Sequence, residues 1–232
     1  MFQRLAIDRG AILLDAERVP AADAALFDRE HWILRGALTE QAGGRGSVDF
    51  IEADGRRWAL RRYLRGGMAS KIARDRYLYL GEERTRSFRE LRLLGELRSL
   101  KLPVPAPVAA CYCRGLLTYS AALITERLPG ARTLSGTLVD GRMDDARWAA
   151  IGRCLRRFHD AGVQHADLNA HNIMLGENGE VWLLDFDRGR LRTPGAWSGR
   201  VLDRLARSLE KISNGVTEWK SGFALLRLSH DS

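Results

Sequence analysis

Asp167, Asn172 and Asp185 are the residues of this sequence whose types and spacing suit chemistry. The first two stand five apart in "HADLNAHNIML", residues 165–175, and Asp185 closes the apolar run "VWLLD" after a turn at "GENGE". Residues 172–185, "NIML", a turn and "VWLLD", read as a β-hairpin, whose return carries Asp185 back toward Asn172. An amide oxygen and a carboxylate brought together are hard ligands for Mg²⁺, an ion that binds few carboxylates and completes its shell with substrate phosphates. Asp167, near but separate, is placed to accept a proton from an attacking hydroxyl. Metal clamp, base and positioned nucleotide are the parts of phosphoryl transfer. Each piece alone is commonplace: Asp-Leu-Asn is a frequent turn, and many strands end in Asp. The three together, at this spacing and after an amphipathic helix, are a strong signal.

The elements that must position them follow from periodicity. Trp148, Ile151, Leu155 and Phe158 share one face of a helix that starts near Asp144 and ends near Gly162, just before the polar loop. Upstream, β-type runs at 47–53 and 57–64 flank "DG", a strong hairpin signal. Phe88, Leu91, Leu94 and Leu97 then form the stripe of a second helix, which "KLPVPAP" stops because proline lacks an amide hydrogen and disfavours helix before it. Two more β runs, "PVAACYC" and "TYSAALITERL", complete a strand-rich first half. A last helical stretch, "RVLDRLARSLEKI", precedes what reads as a short tail. The first forty residues carry only short apolar pieces of weak periodicity. The order is that of a small α+β lobe joined to a helical lobe.

Composition narrows the class. The chain is 45% hydrophobic, enough for a core, and has no low-complexity tract. No apolar run approaches the roughly 18 residues of a membrane span, and Asp8 and Arg9 interrupt any signal-peptide core at the start. Three cysteines do not suggest a disulfide framework, and Cys111 and Cys113 of "CYC" read as two small core residues. The net charge of +8 is concentrated: residues 56–92 hold twelve Arg and Lys against four acids, so the rest of the chain is neutral. A focused basic field favours an anionic partner, whether nucleic acid, a membrane face or a phosphorylated substrate, unless it is simply a solvated face.

"HADLNAHN" followed by "LLDFD" resembles the catalytic loop and metal-binding strand of the protein-kinase-like superfamily, H-x-D-x-x-x-x-N and D-F-x. The resemblance implies an α+β, two-lobed protein-kinase-like fold. Its β-rich N-lobe would span residues 1–125, and a hinge with a reduced helical C-lobe 126–232, together one kinase-like domain. It implies Asp167 as the catalytic base, Asn172 and Asp185 as Mg²⁺ ligands, and His165 as a structural brace, with ATP between the lobes. "GGRGSV" resembles a shortened glycine-rich phosphate loop, which puts Gly44 and Gly46 on the nucleotide. "WALR" stands where the superfamily has V-A-I-K, so Arg61 would pair with Glu90 of the next helix. "LITERL" corresponds to the segment joining the lobes, so Glu126 falls where backbone meets adenine.

The departures are informative. Arg61 replaces the expected lysine, and none of the four lysines lies on that strand. Arginine remains a permanent cation able to bridge phosphate and carboxylate. Strand alternation puts Ala59 and Arg61 on one side, while Arg62 and Lys71 stay open as substitutes. Ala166 stands where many protein kinases have arginine, Asp187 replaces the glycine of D-F-G, no A-P-E follows, and only 45 residues come after Asp187. These features point away from protein substrates and toward a small-molecule or lipid-sugar acceptor.

Within that group "LRRYLRGG", "FRELRLLGELRSLKLPVPAPVAA", "LITERLPGARTL" and "HADLNAHNIML…VWLLDFDRG" are similar to the 3-deoxy-D-manno-octulosonic acid (Kdo) kinases of Gram-negative bacteria, over roughly residues 43–190. That similarity implies ATP-dependent phosphorylation of the Kdo 4-hydroxyl on Kdo–lipid A during lipopolysaccharide core assembly. The acceptor is an anionic glycolipid, and the implied location is peripheral, on the cytoplasmic side of the inner membrane. The basic segment would then meet the Kdo carboxylate, lipid A phosphates or anionic headgroups, and neither nucleic acid nor a protein partner is expected. The nearest competitor is a lipopolysaccharide core heptose kinase. Aminoglycoside and choline kinases take cationic acceptors, which a basic chain does not favour. A non-catalytic, lipid-binding pseudokinase is allowed by Arg61 but opposed by the intact Asp167, Asn172 and Asp185 set. RNA binding has only Tyr63, Tyr77 and Tyr79 to suggest it.

Overall fold

The computed structural model describes residues 1–19, 22–42, 48–63, 77–213 and 217–232. Gly44, Gly46, Lys71 and the middle of the basic segment lie outside the described residues. The chain divides into two compact units, residues 1–95 with 106–127, and residues 96–105 with 128–232.

The first unit is built on an antiparallel sheet. Its strands are β1 (Phe2–Ile7), β2 (Gly10–Asp15), β3 (Leu38–Ala42), β4 (Val48–Ala53), β5 (Arg56–Arg62), β6 (Tyr77–Leu78), β7 (Pro107–Arg114) and β8 (Thr118–Glu126). They run in the order β1-β2-β7-β8-β5-β4-β3, with β6 also paired to β8. Asp54 and Gly55, both at positive φ, join β4 to β5 in a two-residue turn across the Ala53–Arg56 pair, the geometry that Asp-Gly favours. The opening residues thus enter the sheet, although their periodicity is weak. Ala11, Ile12, Leu13 and Leu14 are all buried. A strand covered on both faces shows a continuous apolar run rather than alternation. Ile12, Leu14, Trp32, Ile51, Trp58, Leu60, Val108 and Ile124 form the core of this unit, with Trp32 supplied by a short helix, α1 (Arg29–Leu34). Cys113 departs from the expectation of two core cysteines: it is exposed beside the last residue of β7, where the strand runs out, while Cys111 is half-buried.

Helix α2 (Arg86–Ser99) buries the predicted stripe of Phe88, Leu91, Leu94 and Leu97. It stops before its prolines. Lys101 sits at φ 56, its N–H donates to the Arg98 carbonyl, and Leu102 N–H donates to the Leu97 carbonyl. That pair of bonds closes a helix through a left-handed residue, so the prolines follow a helix already ended.

The second unit contains β9 (Arg132–Thr133), α3 (Leu134–Val139), α4 (Asp145–Asp160), β10 (Val163–Gln164), β11 (Ile173–Leu175), β12 (Val181–Leu183), β13 (Arg190–Leu191), α5 (Trp197–Ile212) and α6 (Trp219–Asp231). The short strands form a β12-β11-β9 sheet and a β10-β13 pair. Asp144 caps α4 by accepting the Arg147 N–H, and Trp148, Ile151, Leu155 and Phe158 are buried as expected. The expected short tail is instead α6, which buries Trp219, Phe223, Leu226 and His230 against the rest of this unit. Its contact with α4 is close: a Cβ on Gly152 would lie 2.2 Å from the Leu226 carbonyl oxygen, and one on Gly222 would lie 2.0 Å from Trp148 Nε1. No described helix is long and apolar enough to cross a membrane.

Candidate active site

The polar loop that follows β10 is held by its own side chains. His165 is buried, and its Nε2 lies 2.7 Å from the Leu184 carbonyl oxygen. A carbonyl only accepts, so Nε2 carries the proton and Nδ1 is free to accept the Asp167 N–H at 3.2 Å. Burial pushes the His165 pKa down, against the opposing pull of the Leu184 carbonyl, Asp185 and Asp167, and keeps the ring neutral in this bridging role. The Asp167 carbonyl accepts from Asn169 Nδ2 at 2.9 Å and from Asn172 Nδ2 at 3.0 Å. Asn169 Oδ1 in turn accepts the His171 N–H, so this residue serves the loop. Ser208 of α5 accepts the Ala170 N–H at 3.1 Å. With its backbone fixed in this way, Asp167 presents its carboxylate outward, more than half exposed, to Arg204 of α5. Nε of Arg204 donates to Oδ1 at 3.0 Å, and a second nitrogen of the same guanidinium donates to the same oxygen.

The β11–β12 register brings the backbone of Asp185 close to that of Asn172. Ile173 pairs with Leu183, and Leu184 N–H donates to the Asn172 carbonyl at 2.9 Å, so Asp185 emerges one residue beyond the pairing. It does so at φ 63, a left-handed conformation that Asp tolerates better than most residues. Since Nδ2 of Asn172 is donated to the loop, Oδ1 is the atom it can offer to a ligand. One amide oxygen and one carboxylate fit a divalent cation that fills the rest of its shell with phosphate and water.

In the first unit, Arg61 and not Arg62 faces Glu90. Arg61 reaches the buried Glu90 carboxylate at 2.5 Å, and the Tyr63 hydroxyl donates to the same oxygen at 2.5 Å. Arg62 points to the other face. There it shares the fully buried Asp49 with Arg29, each at 3.1 Å. Tyr63 is a partner that the motifs do not mark, although its i, i+2 spacing from Arg61 on a strand puts both on one face. Glu126 ends β8. Its N–H is bonded to the Ala106 carbonyl and its carboxylate is paired with Arg18, so both are engaged inside this unit.

The basic segment is less free than its sequence suggests. Among its described members Arg57 pairs with Glu52, Arg61 with Glu90, Arg62 with Asp49 and Arg92 with Glu83. A different basic group stands beside Asp167. Arg204, Arg207 and Lys211 of α5 line a cavity of about 250 Å³ together with Asp167, Asn169 and Ser208. The sequence carries a signal for this group, cations three and seven residues apart opposite the buried Val201, Leu205 and Leu209. Nothing local links that signal to the site, because α5 contributes nothing to the loop motif.

Comparison with known proteins shows the family of the chain. The profile of the lipopolysaccharide kinase (Kdo/WaaP) family matches residues 29–223. A Stenotrophomonas maltophilia (strain K279a) protein described as 3-deoxy-D-manno-octulosonic acid kinase is 50% identical over 226 residues, 96% of this chain and 90% of the relative. A Xanthomonas axonopodis pv. citri (strain 306) protein of the same description is 53% identical over 205 residues, 88% of this chain and 81% of the relative. Among solved structures, a crystal structure of WbdD aligns at 18% identity with a TM-score of 0.49, covering 84% of this chain and 45% of that one. From the extent of the profile match and the identity over nearly its whole length, the chain belongs to the lipopolysaccharide kinase (Kdo/WaaP) family and is a phosphotransferase.

Proposed function

We propose that this kinase transfers the γ-phosphoryl group of ATP to the 4-hydroxyl of Kdo on a Kdo–lipid A type acceptor during lipopolysaccharide core assembly, working peripherally at the cytoplasmic side of the inner membrane. The observation that carries the reading is the Asp167 carboxylate, exposed on a loop whose backbone His165, Asn169 and Asn172 fix from three directions. A base held this rigidly orients one hydroxyl and takes its proton as the new oxygen–phosphorus bond forms and the bond to the β-phosphate oxygen breaks, releasing ADP. Arg61, held by Glu90 and Tyr63, supplies the cation that meets the nucleotide phosphates. Gly44 and Gly46 are proposed as the backbone that covers them. Glu126, engaged through both its N–H and its side chain, has only its carbonyl left to offer the base of the nucleotide. Asn172 Oδ1 and Asp185 would hold Mg²⁺, whose charge offsets that of the phosphates.

The acceptor comes from the description of relatives half identical over most of the chain, and from the anionic character that a basic cavity beside Asp167 favours. The test is transfer from radiolabelled ATP by purified protein to Kdo–lipid A and, separately, to a heptosylated core acceptor, with Asp167→Asn as the blank. Label on the Kdo acceptor alone is expected. Label only on the heptosylated acceptor would make this a heptose kinase, and label on neither would sink the reading.

A further inference from the structure

The cavity beside Asp167 has an imbalance of charge that base, metal and nucleotide leave unused. Arg204, Arg207, Ser208 and Lys211 follow one another at intervals of three, one and three residues, so they share one face of α5 and line the space in front of the catalytic loop. The two acids of this helix are directed elsewhere. Asp203 pairs with Arg227 of α6, and Glu210 pairs with Lys220 of α6. Among the described residues Arg207 and Lys211 have no acidic partner, and the one carboxylate lining the cavity is Asp167 itself. Three cations therefore face one anion in a space of about 250 Å³.

We propose that Arg204, Arg207 and Lys211 form the acceptor subsite: they bind the carboxylate of the acid sugar, and in doing so draw Arg204 off Asp167 and release that base to the hydroxyl. This rests on the proposed function, since the acceptor's acid group comes from that reading. The exchange is physically easy. The Asp167–Arg204 pair joins two side chains that are each about half exposed, 58% and 48%, and ion pairs in water are weak enough to be traded. A carboxylate entering between three cations replaces the lost partner of Arg204 and lowers the net charge of the cavity lining from +2 to +1, so it is attracted by Arg207 and Lys211 as well. A planar guanidinium matches a carboxylate with two parallel bonds, which fixes the orientation of the sugar as well as its position. In the absence of acceptor, the same Arg204 occupies Asp167.

The test compares wild type, Arg207→Ala, Arg207→Lys and Lys211→Ala on three acceptors: native Kdo–lipid A, the same molecule with its sugar carboxylate methyl-esterified, and the same molecule with its lipid phosphates removed. Both acceptor binding without ATP and kcat/KM are measured. Esterification is expected to weaken wild-type binding and kcat/KM by about tenfold or more, the cost of losing a hydrogen-bonded charge. Arg207→Ala and Lys211→Ala should show a comparable loss on the native acceptor but little further loss on the ester. Arg207→Lys should recover part of it, KM for ATP should stay level throughout, and phosphate removal should leave the pattern intact. Losses that multiply independently, a raised KM for ATP, or sensitivity to the phosphates in place of the carboxylate would each overturn the subsite. Carboxylate-dependent binding with no transfer to any acceptor would support the subsite and sink the proposed reaction. The two failures are thus distinguishable.

Discussion

At the scale of single residues, the structure separates neighbours that look alike in sequence. Arg61 and Arg62 are adjacent cations on β5, but one meets Glu90 and the other the buried Asp49. Their alanine variants should therefore fail differently. Arg61→Ala should lower turnover by weakening the hold on nucleotide phosphates, with a raised KM for ATP. Arg62→Ala leaves Asp49 buried with Arg29 alone, and should cost about 2 kcal/mol of stability, read as a lower urea midpoint with steady-state constants near wild type. If Arg62→Ala impairs turnover more than Arg61→Ala under conditions where both are folded, the phosphate role belongs to the wrong arginine. Asp167→Asn keeps the shape of the loop, because the loop is held through the Asp167 backbone. It should reduce kcat by about 10²–10⁴-fold, the range for loss of a general base, without weakening nucleotide binding in a fluorescent-analogue titration. A variant with wild-type kcat would remove Asp167 from the base role.

At the scale of elements, the helices of the second unit depend on glycines in opposite ways. Gly152 and Gly222 allow α4 and α6 to touch where a Cβ would overlap a backbone oxygen or a Trp148 ring. At Gly199 of α5 a Cβ would meet no neighbouring atom within 4 Å. Gly152→Ala should thus destabilise by about 3 kcal/mol through overpacking. Gly199→Ala should be neutral or stabilising by up to about 1 kcal/mol, since alanine restricts the unfolded chain and favours helix. Urea denaturation of the two variants side by side checks both, and equal effects would contradict the packing described. The α4–α6 contact also explains why the last helix is hard to see in the sequence. Trp219, Phe223 and Leu226 carry a helical stripe, but Gly222 breaks its propensity, and only the fit against Trp148 shows why a glycine belongs there.

At the scale of the whole molecule, buried histidines tie stability to pH. His159 packs with Nδ1 2.8 Å from Nε2 of His230, which in turn lies against Asp231. Burial first, and then the neighbouring His230 and His165, push its pKa down to about 4, against the pull of Asp160. A histidine whose folded pKa lies below its unfolded value, about 6.5, takes up its proton more readily when unfolded. Stability is therefore full above that value and falls as pH drops toward 4, below which the contribution is spent. His165, also pushed down by burial, adds in the same direction. Denaturation midpoints at pH 7.5, 6 and 4.5 should fall in that order, and His159→Gln should flatten the slope. A slope unchanged in that variant would place the proton uptake elsewhere.

The sequence by itself determined the local arrangement: the Asp167 and Asn172 loop, the hairpin that returns Asp185 and the helix stripes at 88–97 and 148–158, while on β5 it favoured Arg61 and left Arg62 open. These are set by spacing along one strand, loop or helix, where covalent geometry alone fixes which side chains share a face. Only the tertiary structure decided which cation meets which acid. A count of charges over residues 56–92 placed the basic surface there, whereas ion pairs to Glu52, Asp49, Glu83 and Glu90 take up much of what is described of it. The cations beside Asp167 come from α5, 37 residues farther along the chain. Charges act through space, and their partners across such separations are set by packing, which no local pattern records.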